Sequence, residues 1–203
     1  MDAAAWDARY AAHEHVWSLG PNLFVAAETA DLPPGKVLDL AGGEGRNAIW
    51  LAERGWQVTL VEFSRVALEK SEGAATSRGV TLELVHADVT EYAPTSRTYD
   101  LVLISYLQTV ESEREIWLAR AADALAPGGT LLILAHDASN IEHGYGGPQD
   151  ASVLASPEDV AATLTAHDSA LVIERVEVVE RTVETPDGER VALDHLVRAR
   201  RTS

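Results

Sequence analysis

No cysteine occurs among the 203 residues of the chain. That excludes a disulfide framework, a thiolate metal site and a cysteine nucleophile. No apolar run approaches the ~20 residues a helix needs to span a bilayer. The opening Met1-Asp2-Ala3-Ala4-Ala5-Trp6-Asp7 lacks the basic-then-apolar order of a secretory signal. Together these absences predict a soluble, cytoplasmic protein. Basic residues are scarce: 16 Lys and Arg stand against 32 Asp and Glu, a formal net charge of −16. Such a field repels phosphate backbones and anionic membranes, so neither nucleic acid nor membrane is an expected partner. It mildly favours cationic ligands, and it also serves solubility alone. Repeats and low-complexity tracts are missing too, because the 14 Gly and 8 Pro are spread between apolar runs. What is present is an ordinary hydrophobic content of 46%, enough for one domain with a full core.

Trp6, Tyr10 and Trp17 fall at spacings of four and seven, one helical stripe. Pro21-Asn22 ends it, residues 23–30 read as a second short helix, and residues 31–35 as a turn. Strands and helices then alternate. Strands are expected at 36–40, 57–62, 81–86, 99–104 and 130–135, and helices at 46–54 and 65–78, the latter capped by Ser64. Ser112 and Glu115 suggest a capping box heading a helix that reaches about Leu125. Residues 136–155 are too long for a plain connector and read as a functional loop. Ser156-Pro157-Glu158-Asp159 opens another helix, with a cap and a Pro in its first turn. The runs 170–183 and 191–200 are joined by Pro186-Asp187-Gly188, too tightly for a crossover helix, so they form an antiparallel hairpin. The prediction is an α/β fold: a doubly wound, mostly parallel, Rossmann-like sheet with a C-terminal antiparallel β-hairpin. One domain is expected over residues 1–203, with a helical lid over 1–30 and the α/β core over 36–200. Its ligand crevice lies outside the carboxyl ends of the strands, beside the first.

The most informative stretch is Val37-Leu38-Asp39-Leu40-Ala41-Gly42-Gly43-Glu44-Gly45-Arg46-Asn47. It reads as a buried strand, a turn of small residues and the first turn of a helix. Small residues let a ligand approach the backbone, and the helix presents unpaired N–H groups. Seventeen residues after Gly45, Glu62 ends the second strand. A strand, Gly turn, helix, strand and acid hold a nucleoside-containing cofactor, with the acid on the ribose hydroxyls. Gly43 to Ala48 also fits G-x-G-x-x-A, the dinucleotide fingerprint, so a nicotinamide-dependent oxidoreductase stays open. The acids weigh the other way. Asp88 follows the third strand, where it can accept from an adenine amino group, and Asp39 can reach an ammonium group. Three acids around one crevice suit a cationic, amino-bearing ligand better than a pyrophosphate.

On these residues the chain resembles the class I S-adenosylmethionine-dependent methyltransferases over almost its whole length. The resemblance runs through Asp39 to Gly45, Glu62, Ala87-Asp88-Val89, Pro127-Gly128-Gly129-Thr130-Leu131 and the terminal hairpin. Gly45-Arg46-Asn47 and the aromatic prelude look like the small-molecule branch that includes tellurite-resistance and thiopurine methyltransferases. Ala41-Gly42-Gly43 departs from the Gly-Cys-Gly of many members, but Ala41 is small enough to keep the turn. The resemblance implies methyl transfer from S-adenosylmethionine to a small-molecule acceptor by in-line displacement, releasing S-adenosylhomocysteine, with no metal. It implies cofactor contacts from Tyr10, Asp39, Ala41, Gly43, Gly45, Arg46, Glu62, Phe63, Asp88, Val89 and Ser105. Either Arg46 or Arg9 would meet the methionine carboxylate. A monomer or homodimer is expected, and a non-catalytic cofactor-binding module is the remaining alternative.

Acceptor chemistry is sought at the ends of the fourth and fifth strands. Tyr106, Gln108 and His136 are the catalytic candidates, with Asp137, Asn140, His143 and Tyr145 nearby. A thiol or a chalcogen oxyanion needs little help, whereas a hydroxyl or amine needs a base. His136 beside Asp137 invites an acid/base pair, but adjacent residues on an extended chain face opposite sides. His13-Glu14-His15 admits a metal site, yet residues two apart diverge on a helix, which favours a solvated surface. Gly144 to Asp150 has the composition of a lid with Gly hinges.

Overall fold

The computed structural model describes residues 3–16 and 20–202. Trp17, the third member of the aromatic stripe, lies outside the described residues. The first helix, α1 (Ala3–Ala12), holds the other two, and Trp6 stacks on Tyr10 with ring centroids 5.4 Å apart. Helix α2 (Leu23–Thr29) begins at Asn22, whose side chain accepts from the amides of Phe24 and Val25.

The core then alternates as β1 (Lys36–Leu40), α3 (Arg46–Ala52), β2 (Gln57–Glu62), α4 (Arg65–Ser77) and β3 (Glu83–His86). It continues through β4 (Tyr99–Ser105), α5 (Glu111–Ala124) and β5 (Leu125–His136). Ser64 caps α4 by accepting from Ala67 N, as its position predicts. The capping box expected at Ser112 does not form. Helix α5 starts two residues earlier, with Val110 as its unassisted N-cap and Glu111 and Glu113 in its first turn. Acids at a helix head are favourable through the macrodipole without a capping hydrogen bond. Strand β5 also begins earlier than expected, because Leu125 pairs with Tyr99 ahead of a register shift. Gly129 allows that bend, since a Cβ there would lie 2.8 Å from the Tyr99 carbonyl oxygen.

The sheet order is β3-β2-β1-β4-β5 and then a hairpin of β6 (Leu171–Thr185) and β7 (Gly188–Arg201), with β7 inserted antiparallel against β5. The first five strands are parallel. Both faces are covered, so the central strands are apolar on both sides. Leu38, Leu40, Val102, Ile104, Leu131 and Ile133 pack with Trp117 and Leu118 on one face. Val37, Leu101, Leu103, Leu132 and Leu134 pack with Val25, Leu51 and Leu68 on the other. The long loop after β5 has its own structure: a short helix α6 (Asn140–His143), a 3-10 turn over Ala151–Val153 and a bridge between Asp137 and Ala155. Helix α7 (Pro157–His167) follows the expected cap at Ser156, which forms a capping box with Asp159. Among the described residues no helix is long and apolar enough to cross a membrane.

Two consequences of the topology place the site. The chain crosses from one face to the other between β1 and β4, so their carboxyl ends open a crevice there. The last β5–β7 pair is His136 with Asp194, while the hairpin continues to Thr185 and Gly188. The ribbon therefore overhangs the same end of the sheet.

Candidate functional site

The turn after β1 runs through left-handed backbone at Ala41 (φ 55°), Gly43 (φ 57°) and Gly45 (φ 76°). A Cβ at Gly42 would sit 2.8 Å from Leu60 Cδ1 and 2.9 Å from Asp39 Oδ2. The turn is thus drawn tight over the carboxylate beneath it. Asp39 is 1% exposed, and neither of its oxygens has a hydrogen-bond partner. Burial raises its pKa to about 7, against the pull of Arg46 and with a further push from Glu62. A buried, unsatisfied carboxylate is costly, and it is the kind of group a cationic ligand relieves.

Glu62 ends β2 and is also buried. Its Oε2 accepts from Gly43 N at 3.0 Å and its Oε1 from Ser64 N at 2.8 Å. Burial pushes its pKa up, and those amide bonds oppose the shift. Each oxygen has further lone-pair capacity. Phe63 is half-buried, and its carbonyl contacts His86 Nε2 at 2.9 Å. Past β3, Asp88 Oδ1 accepts from Thr90 N and Thr90 Oγ1, which folds the adenine-motif candidate into a local turn. Val89 is buried in the core beside it. Asn47 is the residue of Gly45-Arg46-Asn47 with a visible structural duty. It accepts from Asn22 N at 2.9 Å and donates to Ser105 Oγ at 2.9 Å, tying α2, α3 and the end of β4 together.

The N-terminal segment is fastened to this turn. Asp7 accepts from Ser64 Oγ and Val66 N at the head of α4. Lys70 donates to the carbonyls of Tyr10, His13 and Glu14 and pairs with Glu44 Oε1 at 3.0 Å. The other Glu44 oxygen accepts from Val16 N at 2.9 Å. Arg9 stacks over Trp6, its Cζ 4.9 Å from the ring centroid. His13, Glu14 and His15 are exposed past the end of α1, and no group of three potential ligands among the described residues could hold a metal.

The ends of β4 and β5 carry a second cluster. Tyr106 adopts φ 57° and donates its hydroxyl to Asp194 Oδ2 at 2.6 Å, while accepting from Asn22 Nδ2 at 3.1 Å. Arg181 Nε donates to Asp194 Oδ2 at 2.7 Å. His136 Nδ1 lies 3.1 Å from Asp194 Oδ1, off the line of a good hydrogen bond. The imidazole stacks at a tilt on Tyr106, with centroids 5.1 Å apart. Burial would raise the Asp194 pKa, but His136, Arg181 and Tyr106 hold it below the usual carboxylate range. Tyr106 is pushed up, by burial and then by Asp194, so its hydroxyl stays protonated. Arg46 sits between the two clusters. Burial and Arg181 lower its pKa, against the pull of Tyr106, Asp39 and Asp194. Gln108 follows on the same loop, its Nε2 buried and unpartnered.

Sequence reading missed Asp194 and Arg181. The available signal was one acid inside the apolar run Val191-Ala192-Leu193-Asp194-His195-Leu196-Val197. Asp137, the sequence neighbour of His136, turns away to bind Ser139 instead. His143 and Tyr145 are exposed, whereas Asn140 is a loop staple whose Oδ1 accepts from Leu193 N. Two surface clefts, one lined by Gly128, Val172 and Arg200 and one by Glu115, Ala119 and Ala162, lie away from both clusters.

Comparison with known proteins bears on the turn. A family profile described as a methyltransferase domain matches residues 37–129. A tRNA 5-carboxymethoxyuridine methyltransferase of Escherichia coli is 34% identical over 118 residues, which cover 55% of this chain and 45% of that protein. A demethylmenaquinone methyltransferase of Thermus thermophilus is 30% identical over 132 residues, covering 62% and 60% respectively. The chain thus spans about half of the curated relatives it matches. The N-methyltransferase NodS of Bradyrhizobium japonicum, solved in complex with S-adenosyl-L-homocysteine, superposes with a TM-score of 0.71 at 18% identity, over 99% of this chain and 98% of that one. These matches resolve the ambiguity of the glycine turn in favour of the methyl donor. Residues 37–129 are thus similar to a methyltransferase domain, and the described chain as a whole has the fold of the S-adenosylmethionine-dependent methyltransferases.

Proposed function

We propose that this protein transfers a methyl group from S-adenosylmethionine to a small-molecule acceptor. The observation that carries the reading is Asp39: a sealed carboxylate with two unpaired oxygens under a turn whose backbone is held open by small residues. The cofactor's α-ammonium fits that acid, directly or through water. Glu62 has lone pairs left for ribose hydroxyls, and Asp88, Val89 and Phe63 flank the adenosine. Ala41, Gly43 and Gly45 supply the close backbone approach, with Tyr10, Arg46 and Ser105 around the methionine end. When bound, the cofactor supplies an electrophilic methyl carbon on a sulfonium. The chain then has to align an acceptor with that carbon and exclude water. Residues 1–30 act as a lid on the 36–200 core, latched by Lys70 and Glu44. Tyr106, Gln108 and His136 face the acceptor.

The small-molecule assignment draws on the demethylmenaquinone relative and on the net charge of −16, which opposes a polyanionic acceptor such as the tRNA of the Escherichia coli relative. Ligand-induced stabilisation tests the cofactor. S-adenosylhomocysteine at ~100 times its dissociation constant should stabilise the protein by about 2.7 kcal/mol, and NADH should not. A shift with NADH and none with S-adenosylhomocysteine would overturn the assignment.

A further inference from the structure

The acceptor-side cluster is more organised than binding alone requires. Asp194 is fully buried: Tyr106 and Arg181 Nε donate to its Oδ2, and its Oδ1 has His136 Nδ1 at 3.1 Å and a longer bond from Arg181 Nη2 at 3.4 Å. Its position is over-determined, since Tyr106 follows β4 and Arg181 comes from β6, whereas Asp194 itself is on β7. One face of the His136 ring is covered, while the side chain keeps 15% of its surface exposed. A Cβ at Gly147 would lie 2.8 Å from its Cγ and Cδ2, so the backbone of the long loop rests on the imidazole. Of the two ring nitrogens, only Nδ1 is sealed from solvent without a hydrogen bond, and Asp194 Oδ1 is the charged group beside it. Catalytic hydrogen bonds are often misaligned before substrate enters, and a modest ring rotation would straighten this one.

We propose that Asp194 fixes the tautomer and orientation of His136, so that Nε2 is the general base for a neutral protic acceptor, a hydroxyl or an amine. The proposal rests on the methyltransferase reading above. A carboxylate at Nδ1 places the imidazole proton there and leaves the Nε2 lone pair free. The alternative base in the cluster is excluded by its commitments, because the Tyr106 hydroxyl already donates to Asp194. Tyr106 also sets the distance to the cofactor side. Its ring centroid stands 5.1 Å from the imidazole and 5.9 Å from Arg46 Cζ. As the acceptor attacks, its proton passes to Nε2 and its lone pair forms the new bond to the methyl carbon. The electron pair of the breaking carbon–sulfur bond goes to sulfur. The imidazolium, stabilised by Asp194, later releases its proton to water. An acceptor that is already an anion would have no use for this arrangement. Asp194 is thus a positioning residue, and His136 a catalytic one.

Nitrogen-detected NMR of the ligand-free protein reads the tautomer directly. The expected result is a neutral His136 carrying its proton on Nδ1, the reverse of the preference of free histidine, with the two tautomers mixing in Asp194→Asn. A wild-type proton on Nε2 overturns the proposal whether or not any variant folds. A methylation assay then compares phenol and aniline with benzoate, each with S-adenosylmethionine. His136→Gln should lower kcat/KM for the protic acceptors by about 10²–10⁴-fold, and Asp194→Asn by up to about 10⁴-fold. S-adenosylhomocysteine affinity should be unchanged in His136→Gln. Methylation of benzoate alone, or of phenol at an undiminished rate in His136→Gln, overturns the proposal. Loss of S-adenosylhomocysteine binding by the wild-type protein would instead strike the cofactor assignment, and it leaves the tautomer result standing.

Discussion

The two halves of the crevice handle buried charge in opposite ways. Under the glycine turn, Asp39 is sealed and unpaired. At the ends of β4 and β5, Asp194 is equally sealed but saturated by Tyr106 and Arg181, with His136 alongside. An unsatisfied carboxylate stores a destabilisation that a cationic ligand can release, which suits a group that binds and lets go. A saturated one is part of the framework and keeps other side chains in place. On the proposed function, the first half serves ligand recognition and the second positioning. Arg46, whose pKa responds to acids on both sides, joins them.

Substitutions separate the two roles. The largest effect is expected at Asp194→Ala. It strands Arg181 and the Tyr106 hydroxyl in a buried setting, so urea unfolding should show a loss of about 3–5 kcal/mol. A loss below about 1 kcal/mol would show that the cluster is not framework. Asp39→Asn should act in the other direction on stability. Burial holds the folded pKa of Asp39 at about 7, above the 3.8 of a free aspartate. Between those values the folded state binds more protons than the unfolded state, so Asp39 erodes stability as pH rises from about 4 to 7, by up to about 4 kcal/mol. The stability of Asp39→Asn relative to wild type should therefore grow through that window and level off above it. The same variant should bind S-adenosylhomocysteine far more weakly. A flat difference with pH would mean that Asp39 already has a partner. The smallest effect is expected at Lys70→Met, which removes a partly exposed ion pair and the hydrogen bonds to the end of α1. Hydrogen exchange over residues 3–16 should quicken by an amount equivalent to about 1 kcal/mol, with global stability little changed.

The same division marks what was legible in advance. The proposed cofactor half is local in sequence: strand, turn, helix and acid fall within residues 36–62, and both strand boundaries there match the expected ones. Composition of the turn and periodicity of its flanks suffice to find it. The proposed acceptor half joins residues far apart, with Tyr106 and Asp194 separated by 88 positions. His136 and Tyr106 stood out because they follow strands. Asp194 did not, because nothing within reach along the chain reports its partners. The Ser112 capping box was a local signal that tertiary context overrode, since α5 begins where the loop from β4 delivers it.

What the sequence alone determined, then, is the alternation of strands and helices, the terminal hairpin and the glycine turn with its acids. These follow from short-range rules: side-chain periodicity, caps and the backbone freedom of small residues. Only the tertiary structure decided that β7 lies between β5 and β6. That placement sets Asp194 opposite His136 and brings Arg181 onto Asp194. It also shows that Asp39 is sealed and without a partner. Register between distant strands, and the burial of a charge, are properties of the packed sheet, and no window of the sequence contains them.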